Sequence, residues 1–427
     1  MLVLSQGAAM AQVAPATGGQ NAAPPSARID PLAPQPQLPA PASATPAVVV
    51  PAVPVELPPP VWQVAQAQEL LSFMRGVGVE GLDPRDYDPT LLEAAIRRVE
   101  PTALARTATE SWNKLARDLA LGHVRGSARV QWFVKDADMP EGRSRALLDE
   151  ALAGGGVAAT LQGLLPTHPQ YGSLKVALAK ADSSDLATVG KIRLNMDRWR
   201  WLPRDLGSRY IIVNVPGEHA TLVENSVTRW KHRAIAGAVK TPTPQLAVMA
   251  TGVMLNPWWE VPPSLSAEVA GKGGYVAVKG KDGKAQRWRQ PPGPGNALGK
   301  IKFTMYNPQN IYLHDTNNRG LFDARSRFLS HGCIRTENIL DLAAELLSDD
   351  GGEWSREKID AVLESKKSTA ATFIKPVPVY IVYFSLAALT DGNIVKYADL
   401  YKRDAPVLAA LNDRDGGNKP AVRSAAR

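Results

Sequence analysis

The sequence is most informative at two stretches, Tyr312-Leu313-His314-Asp315 and Ser330-His331-Gly332-Cys333-Ile334-Arg335. The second stretch contains the single cysteine of the chain. The apolar residues that follow it recur at helical spacing and predict a helix with Thr336 as its N-cap. A thiol just before a helix N-terminus and close to an arginine ionises more readily than a free thiol, because both neighbours favour the thiolate. We therefore expect Cys333 to be a nucleophile with a lowered pKa.

A cysteine nucleophile is usually paired with an imidazole, and two histidines are candidates for the base. His331 lies two residues before the thiol, where a side chain rarely points at its neighbour's reactive atom, so we prefer His314. Asp315, through its carboxylate or its main-chain carbonyl, is the expected acceptor that orients the imidazole. Gly332 permits close backbone approach, and its N–H is a candidate donor to an oxyanion. The alternative interpretation of Cys333 is a small buried apolar residue.

Residues 191–400 predict a mostly β domain that surrounds these two stretches. Runs of β-branched and aromatic residues predict strands at 210–215, 220–223, 248–253, 301–305, 311–313 and 377–383. Two helices are expected at 337–348 and 355–365. The stretch 256–299 is rich in Gly, Pro, Lys and Trp and too irregular for a core, so we expect a flap or long loop there.

Residues 61–190 predict a helical domain. Apolar residues at helical spacing predict helices near 70–74, 88–99, 101–121, 144–153 and 173–180. Trp112 and His123 are interpreted as core and helix-end residues without a chemical role. The fold class is therefore α+β, with an N-terminal helical scaffold domain, a mostly β catalytic domain with a flap insertion and a few helices, and a C-terminal tail at 401–427.

The first 60 residues differ in composition from the rest, because they carry 14 of the 35 prolines and only three charged residues. Such a segment buries too little apolar surface to offset its ordering entropy, so residues 12–60 are expected to be a disordered Pro/Ala-rich spacer. Ala9-Met10-Ala11 has the small-residue pattern of a signal-peptidase site. We interpret residues 1–11 as the truncated remnant of a secretory signal, with a chance Ala-rich terminus as the alternative.

Composition excludes several classes of protein and site. A single cysteine excludes an internal disulfide framework and a Cys-rich metal site, and the six histidines form no H-E-x-x-H motif, so no metal or other cofactor is expected. No apolar run approaches the roughly 20 residues of a membrane span. The net charge of +8 would suit nucleic acid, but the basic residues are spread along the chain, so no nucleic-acid partner is expected.

The spacing of His314 and the S-H-G-C-x-R stretch resembles the signature of the L,D-transpeptidase (YkuD-type) catalytic domain. Over about residues 65–400 the chain resembles the large periplasmic L,D-transpeptidases of Gram-negative bacteria. Asn195–Pro203 resembles the start of their catalytic domain, Asn256–Pro262 and Pro292–Gly299 resemble their substrate-facing loops, and Trp112–Val124 loosely resembles their scaffold domain.

The resemblance implies a periplasmic enzyme that acts on peptidoglycan stem peptides and is open to acylation by carbapenems. Cys333 would attack the carbonyl of the diaminopimelate at the third position of a tetrapeptide stem. The terminal D-Ala would leave with a proton from His314, and a thioester would remain. The amine of a second stem's diaminopimelate would resolve this thioester and give a 3→3 cross-link.

The resemblance also implies roles for neighbouring residues. The third member of the triad would be the main-chain carbonyl of Asp315, and His331 would brace the loop. Tyr312 and Arg335 would line the acyl site, with a structural clamp as the alternative role of Arg335. The tryptophans Trp258 and Trp259 would line the groove under the flap, with buried packing as the alternative.

Two departures from the family pattern concern how substrate is held. Asp315 stands where many members have glycine. The segment 140–190 is too short for the small peptidoglycan-binding module of some large members, and the flap is shorter than the flap of those members. The same site could use water or a protein amine as acceptor, as an L,D-carboxypeptidase or as an enzyme that attaches or removes an outer-membrane protein tether. A non-catalytic wall-binding protein is the alternative of another class. The sequence identifies no protein partner.

Overall fold

The computed structural model describes residues 58–417, except for residues 99, 137, 141, 349, 350 and 352. A helical N-terminal region is followed by a mostly β domain, as the sequence predicts. The expected signal remnant and nearly all of the expected spacer lie outside the described residues, and residues 58–60 have no regular secondary structure. Within the described part of the chain, no helix has the length and apolar character to cross a membrane.

The helical region begins at Val64 and confirms the helices expected between 64 and 180. Its helices are α1 (Val64–Gly76), α2 (Pro89–Arg98), α3 (Pro101–Leu121), α4 (Arg143–Glu150), α5 (Val157–Gln162), α6 (Pro169–Lys180) and α7 (Leu186–Arg200). Short 3₁₀ turns at Val77–Glu80, Pro84–Tyr87 and Gly126–Ala128 and a π turn at Ala151–Gly155 lie between them.

Helix α3 is the central element of this region. Pro101 stands in its first turn, and the Glu100 carboxylate accepts hydrogen bonds from the N–H groups of Thr102 and Ala103. Gly122 follows the last turn of the helix and has a φ of +84°, which favours glycine. A Cβ added at this position would lie 2.6 Å from the Trp201 ring, so there is no room for a side chain. One face of α3 is fully or almost fully buried, through Leu104, Ala108, Trp112, Leu115 and Leu119.

The β domain follows from Arg209. Its elements are β1 (Arg209–Asn214), β2 (His219–Glu224), β3 (Val227–Gly237), β4 (Leu246–Leu255), β5 (Trp259–Glu260), α8 (Ser266–Val269), β6 (Val276–Lys279), β7 (Ala285–Gln290), β8 (Ile301–Thr304), β9 (Leu313–His314), β10 (Phe328–Ser330), β11 (Ile334–Thr336), α9 (Ile339–Ser348), α10 (Arg356–Ser365), β12 (Thr369–Val382), β13 (Leu386–Ala388), β14 (Ile394–Lys396) and α11 (Asp404–Leu411). Short 3₁₀ turns lie at Pro263–Leu265 and Arg319–Asp323.

The main sheet has the strand order β10-β3-β11-β9-β8-β4-β12-β1-β2, and a further pairing of β2 with β3 closes this order into a ring. The inward side chains form one apolar cluster, which includes Ile211, Val213, Phe303, Leu313, Ile334, Val379 and Ile381. Closing the ring leaves few exposed strand edges and holds the short strands β11 and β9 side by side between β3 and β8.

Most of the expected strands are confirmed within β1, β2, β4, β8 and β12, but two details differ. The strand expected at 311–313 is replaced by the two-residue β9, which shares only Leu313 with that range, and β3 is not among the expected strands. The first half of β3 is mostly exposed and carries several Arg and Lys residues. It therefore lacks the apolar pattern that predicts a core strand. It is held instead by antiparallel pairing with β2 through a turn in which Asn225 and Ser226 both have positive φ.

The stretch 256–299 is more regular than the loop that we expected. Strands β5, β7 and β6 form a three-stranded sheet, and α8 packs beside it. Val261, Leu265 and Val269 form a small buried cluster against which Trp259, Tyr275 and Trp288 pack. The flap is therefore a folded insertion with its own apolar core.

Two other expectations are wrong. Thr336 is not a helix N-cap, because Ile334–Thr336 forms β11 and α9 begins only at Ile339, after Asn338 with a φ of +50°. The segment 401–427 is not merely a tail, because it contains α11, whose Val407 and Leu411 are buried in a cluster with Leu194 of α7. The helices expected at 337–348 and 355–365 correspond to α9 and α10.

Helix α7 is joined to the segment after α3 through a buried carboxylate. Asp197 accepts hydrogen bonds from the N–H groups of His123 (2.7 Å) and Val124 (3.1 Å) and from the Trp201 indole (2.9 Å), and pairs with Arg200. Burial alone would raise the pKa of Asp197, but Arg200 and these donors hold the pKa below its ordinary value. The stability from this group is therefore present above the ordinary carboxyl pKa and lost as the pH falls through the lowered one.

We predict that Asp197→Ala costs about 3–5 kcal/mol of unfolding free energy, because it leaves Arg200 buried without its partner. Asp185→Ala is the matched control, since Asp185 caps the exposed start of the same helix and its loss costs about 1 kcal/mol. Urea unfolding of both variants provides the measurement. Equal losses would contradict the special role of the buried carboxylate.

Candidate active site

Strands β9 and β11 bring the two informative stretches together. They pair in parallel, with Leu313 beside Ile334 and His314 beside Arg335. Because side chains alternate along a strand, Leu313 and Ile334 enter the apolar core, where both are fully buried, and His314 and Arg335 project from the opposite face. Cys333 immediately precedes β11, and its thiol lies beside Tyr312.

The environment of the Cys333 thiol raises its pKa, which differs from the lowering that we expected. Burial is the largest cause, while hydrogen bonds from the N–H and phenol of Tyr312 and the charge of Lys302 act in the opposite direction. The thiol contacts the carbonyl of Asn310 at 3.5 Å. The expected helix dipole is missing, since a strand and not a helix follows the cysteine. Cys333 therefore rests as a protonated thiol.

Ser330 holds the loop before Cys333, which sequence reasoning did not foresee. Its Oγ donates to the Cys333 carbonyl at 2.6 Å and accepts from the Gly332 N–H at 3.1 Å. The expected oxyanion donor, the Gly332 N–H, is thus already engaged. Thr243 donates to the Gly332 carbonyl at 2.8 Å, and Gly332 has a φ of +117°, which favours glycine.

His331 is placed differently from the role that the resemblance implies. Its side chain is exposed and lines the cavity, and within the described residues it makes no hydrogen bond. It therefore does not brace the loop. The N–H of Cys333 also has no partner among the described residues, which leaves it available to an oxyanion.

His314 is buried, and its environment lowers its pKa to about 3. Desolvation is the largest cause, and the charges of Arg335 and Lys302 add to it, while the main chain of Asp315 acts against it. Nδ1 of His314 has no hydrogen bond of ordinary geometry among the described residues. The imidazole is therefore neutral near neutral pH and able to accept a proton.

Asp315 contributes its carboxylate to structure. Oδ2 accepts from the Lys300 N–H at 2.9 Å, and Oδ1 pairs with Arg319 at 2.9 Å. A Cβ added at Gly299 would lie 2.4 Å from Oδ2, so a glycine makes room for this carboxylate at the base of the flap. Only the main chain of Asp315 is left to act on His314.

A cavity of about 270 Å³ lies between the flap and the strands. Its walls include Cys333, His314, Tyr312 and Arg335, and the flap contributes Trp259 and Tyr275. Trp258 is not part of this wall, because its ring instead faces the Arg289 guanidinium at 4.3 Å. Nε of Arg335 is buried and has no partner within the described residues. No group of metal-ligating side chains of the size needed for a metal site occurs in the described part of the chain.

Lys302 is another residue beside the site that sequence reasoning missed. It lies on β8 directly opposite His314 and places Nζ 4.5 Å from the centre of the Tyr312 ring. The alternation Ile301-Lys302-Phe303 contained the signal, because a lysine between two core residues of a central strand must project from the opposite face.

Comparison with known proteins provides independent information on both regions. Residues 208–379 match the family model described as the L,D-transpeptidase catalytic domain (YkuD), and residues 58–178 match a model described as Scaffold domain. A curated Haemophilus influenzae protein whose name provisionally places it among the L,D-transpeptidases is 32% identical over 249 residues, which cover 52% of this chain and 50% of that protein. The chain thus spans about half the length of this relative.

Solved structures that match part of the chain include an L,D-transpeptidase of Enterococcus faecium, 12% identical, covering 43% of this chain and 52% of that chain with a TM-score of 0.22. Another is L,D-transpeptidase 1 of Mycobacterium tuberculosis, which is 15% identical; the match covers 41% of this chain and 61% of that chain with a TM-score of 0.21. The family models carry the assignment: the chain contains a YkuD-type L,D-transpeptidase catalytic domain, preceded by a Scaffold domain.

Proposed function

We propose that this protein is a peptidoglycan L,D-transpeptidase of the periplasm that forms 3→3 cross-links between stem peptides. One observation carries the proposal: Cys333 and His314 open into one cavity beneath the flap, within the part of the chain that matches the catalytic domain. A protonated thiol beside a neutral imidazole is a suitable pair for nucleophilic acyl transfer.

In the first half of the reaction, Cys333 attacks the carbonyl of the third residue of a tetrapeptide stem. The thiol proton passes to His314 as the carbon–sulfur bond forms. The negative carbonyl oxygen accepts a hydrogen bond from the free N–H of Cys333. His314 then returns the proton to the departing D-Ala amine, and the thioester remains.

In the second half, the side-chain amine of another stem's diaminopimelate attacks the thioester. His314 accepts the amine proton, the carbon–sulfur bond breaks, and Cys333 recovers its thiol proton. Stem peptides carry several carboxylates, and Arg335, with an unpartnered Nε on the cavity wall, is a suitable group to bind one of them. Trp259 and Tyr275 supply the apolar wall of the same cavity.

Incubation of the purified protein with tetrapeptide-rich sacculi, followed by chromatography and mass spectrometry of the muropeptides, tests the proposed function. Wild-type protein should give new 3→3 dimers, and Cys333→Ala should give none because the nucleophile is lost. Tripeptides without dimers would instead indicate water as acceptor and a carboxypeptidase. No change with either protein would count against catalysis on stem peptides.

The two histidines of the cavity should differ sharply in their effect on acylation of Cys333. We predict that His314→Ala slows acylation about 10²–10⁴-fold, because the base is lost. His331→Ala should retain a partial rate, since its exposed ring makes no hydrogen bond with the described residues. Intact-mass measurement of Cys333 adducts with a carbapenem gives both rates, with His232→Ala, on β3 outside the cavity, as the matched control. Equal losses at 314 and 331 would refute this assignment.

A further inference from the structure

Lys302 is an ammonium held against the catalytic face of the sheet. The antiparallel pairing of β8 with β9 places it opposite His314, and it is only partly exposed. Its Nζ lies over the Tyr312 ring, 4.5 Å from the centroid, which is within the range of a cation–π contact.

Within the described part of the chain, this cation forms no ion pair with a carboxylate. Among the described residues, Lys302 forms neither an ion pair nor a hydrogen bond, and the charges that act on it are those of Cys333 and Glu260. Burial lowers the pKa of Lys302, so its position costs desolvation free energy that no salt bridge offsets. An unpaired, partly buried cation next to a nucleophile is typical of a site where negative charge develops.

Tyr312 connects Lys302 to the nucleophile. Its phenol acts on the Cys333 thiol and lowers the pKa of that thiol, and the Trp259 side chain acts in turn on the phenol. The Tyr312 side chain therefore lies between Trp259 on the flap side and Lys302 on its ring face. A cation on the ring face polarises the phenol and strengthens its O–H as a donor.

We propose that Lys302 is a positioning residue for the nucleophile, which holds the Tyr312 ring and stabilises the negative charge that develops on the sulfur of Cys333. The proposal rests on the proposed role of Cys333. Lys302 gives up no proton: the thiol proton passes to His314, and the ammonium only lowers the free energy of the thiolate. The charge of Lys302, opposite His314, also lowers the pKa of that imidazole, so the ring is neutral before the attack.

The test is the rate of Cys333 alkylation by iodoacetamide as a function of pH, followed by intact mass. Lys302→Met keeps the length of the side chain and removes its charge, so it should raise the pKa of Cys333 by about half a unit to one unit. Alkylation at neutral pH should fall about 3–10-fold. Lys302→Arg should retain most of the wild-type rate. Lys300→Met is the matched control, because that lysine is exposed and its loss should leave the profile unchanged.

A second readout separates charge from mere packing. Removal of a positive charge raises every nearby pKa, so the pKa of His314 should rise in Lys302→Met when it is followed by NMR, whereas a purely structural role would not shift both groups in the same direction. Tyr312→Phe should reduce the effect of Lys302→Met on alkylation. An unchanged profile in Lys302→Met, or an equal shift in Lys300→Met, would overturn the proposal. Alkylation requires no stem peptide, so failure to form cross-links would count against the proposed function alone.

Discussion

The parallel pairing of β9 with β11 is the constraint on which the rest of the site depends. Leu313 and Ile334 are fully buried side by side in the core, and this fixes the register. A shift of one residue would expose both and turn His314 and Arg335 inward, so the apolar core decides which side chains face the cavity. Both strands are very short, and the closed ring of longer strands around them supplies the support that they lack by themselves.

The electrostatics of the site follow from the same arrangement. His314 stands in a row across the sheet between Lys302 on β8 and Arg335 on β11. Burial, together with these two cations, lowers the pKa of the imidazole and keeps it neutral, and burial raises the pKa of the thiol and keeps it protonated. The proposed nucleophile and base thus rest without charge, and in the proposed mechanism negative charge is stabilised only when it develops during attack. This differs from the ion pair of a thiolate with an imidazolium that a helix N-terminus would favour.

Local sequence patterns were sufficient for the elements with strong periodicity. The buried stripe of α3 around Trp112 and the β-branched runs of β1 and β12 were predicted because their apolar spacing is local. The start of α9 was not, since the pairing of Ile334 with Leu313 overrides the helical pattern that follows. The strand β3 was missed because its exposed first half, rich in Arg and Lys, lacks the pattern of a core strand and its second half pairs with β11, far away in sequence.

The chemical residues of the site were easier to find than their contacts. Cys333, His314 and Tyr312 carry their own signal, and the structure brings all three to one cavity. Three features could not be predicted, because they depend on three-dimensional packing. Ser330 accepts the Gly332 N–H, the side chain of His331 is exposed, and the ring of Trp258 faces Arg289. The place of Lys302 required the register of β8 against β9, which no single stretch of sequence contains.

The resting protonation state of Cys333 tests this account most directly. The ultraviolet absorbance of the thiolate, recorded against pH for the native protein and for Cys333→Ser, reports on this group alone because the chain has one cysteine. The account predicts no thiolate absorbance at neutral pH and a titration above the ordinary thiol value of about 8.5. Thiolate absorbance at neutral pH that disappears in His314→Ala would reveal a preformed ion pair and contradict the account.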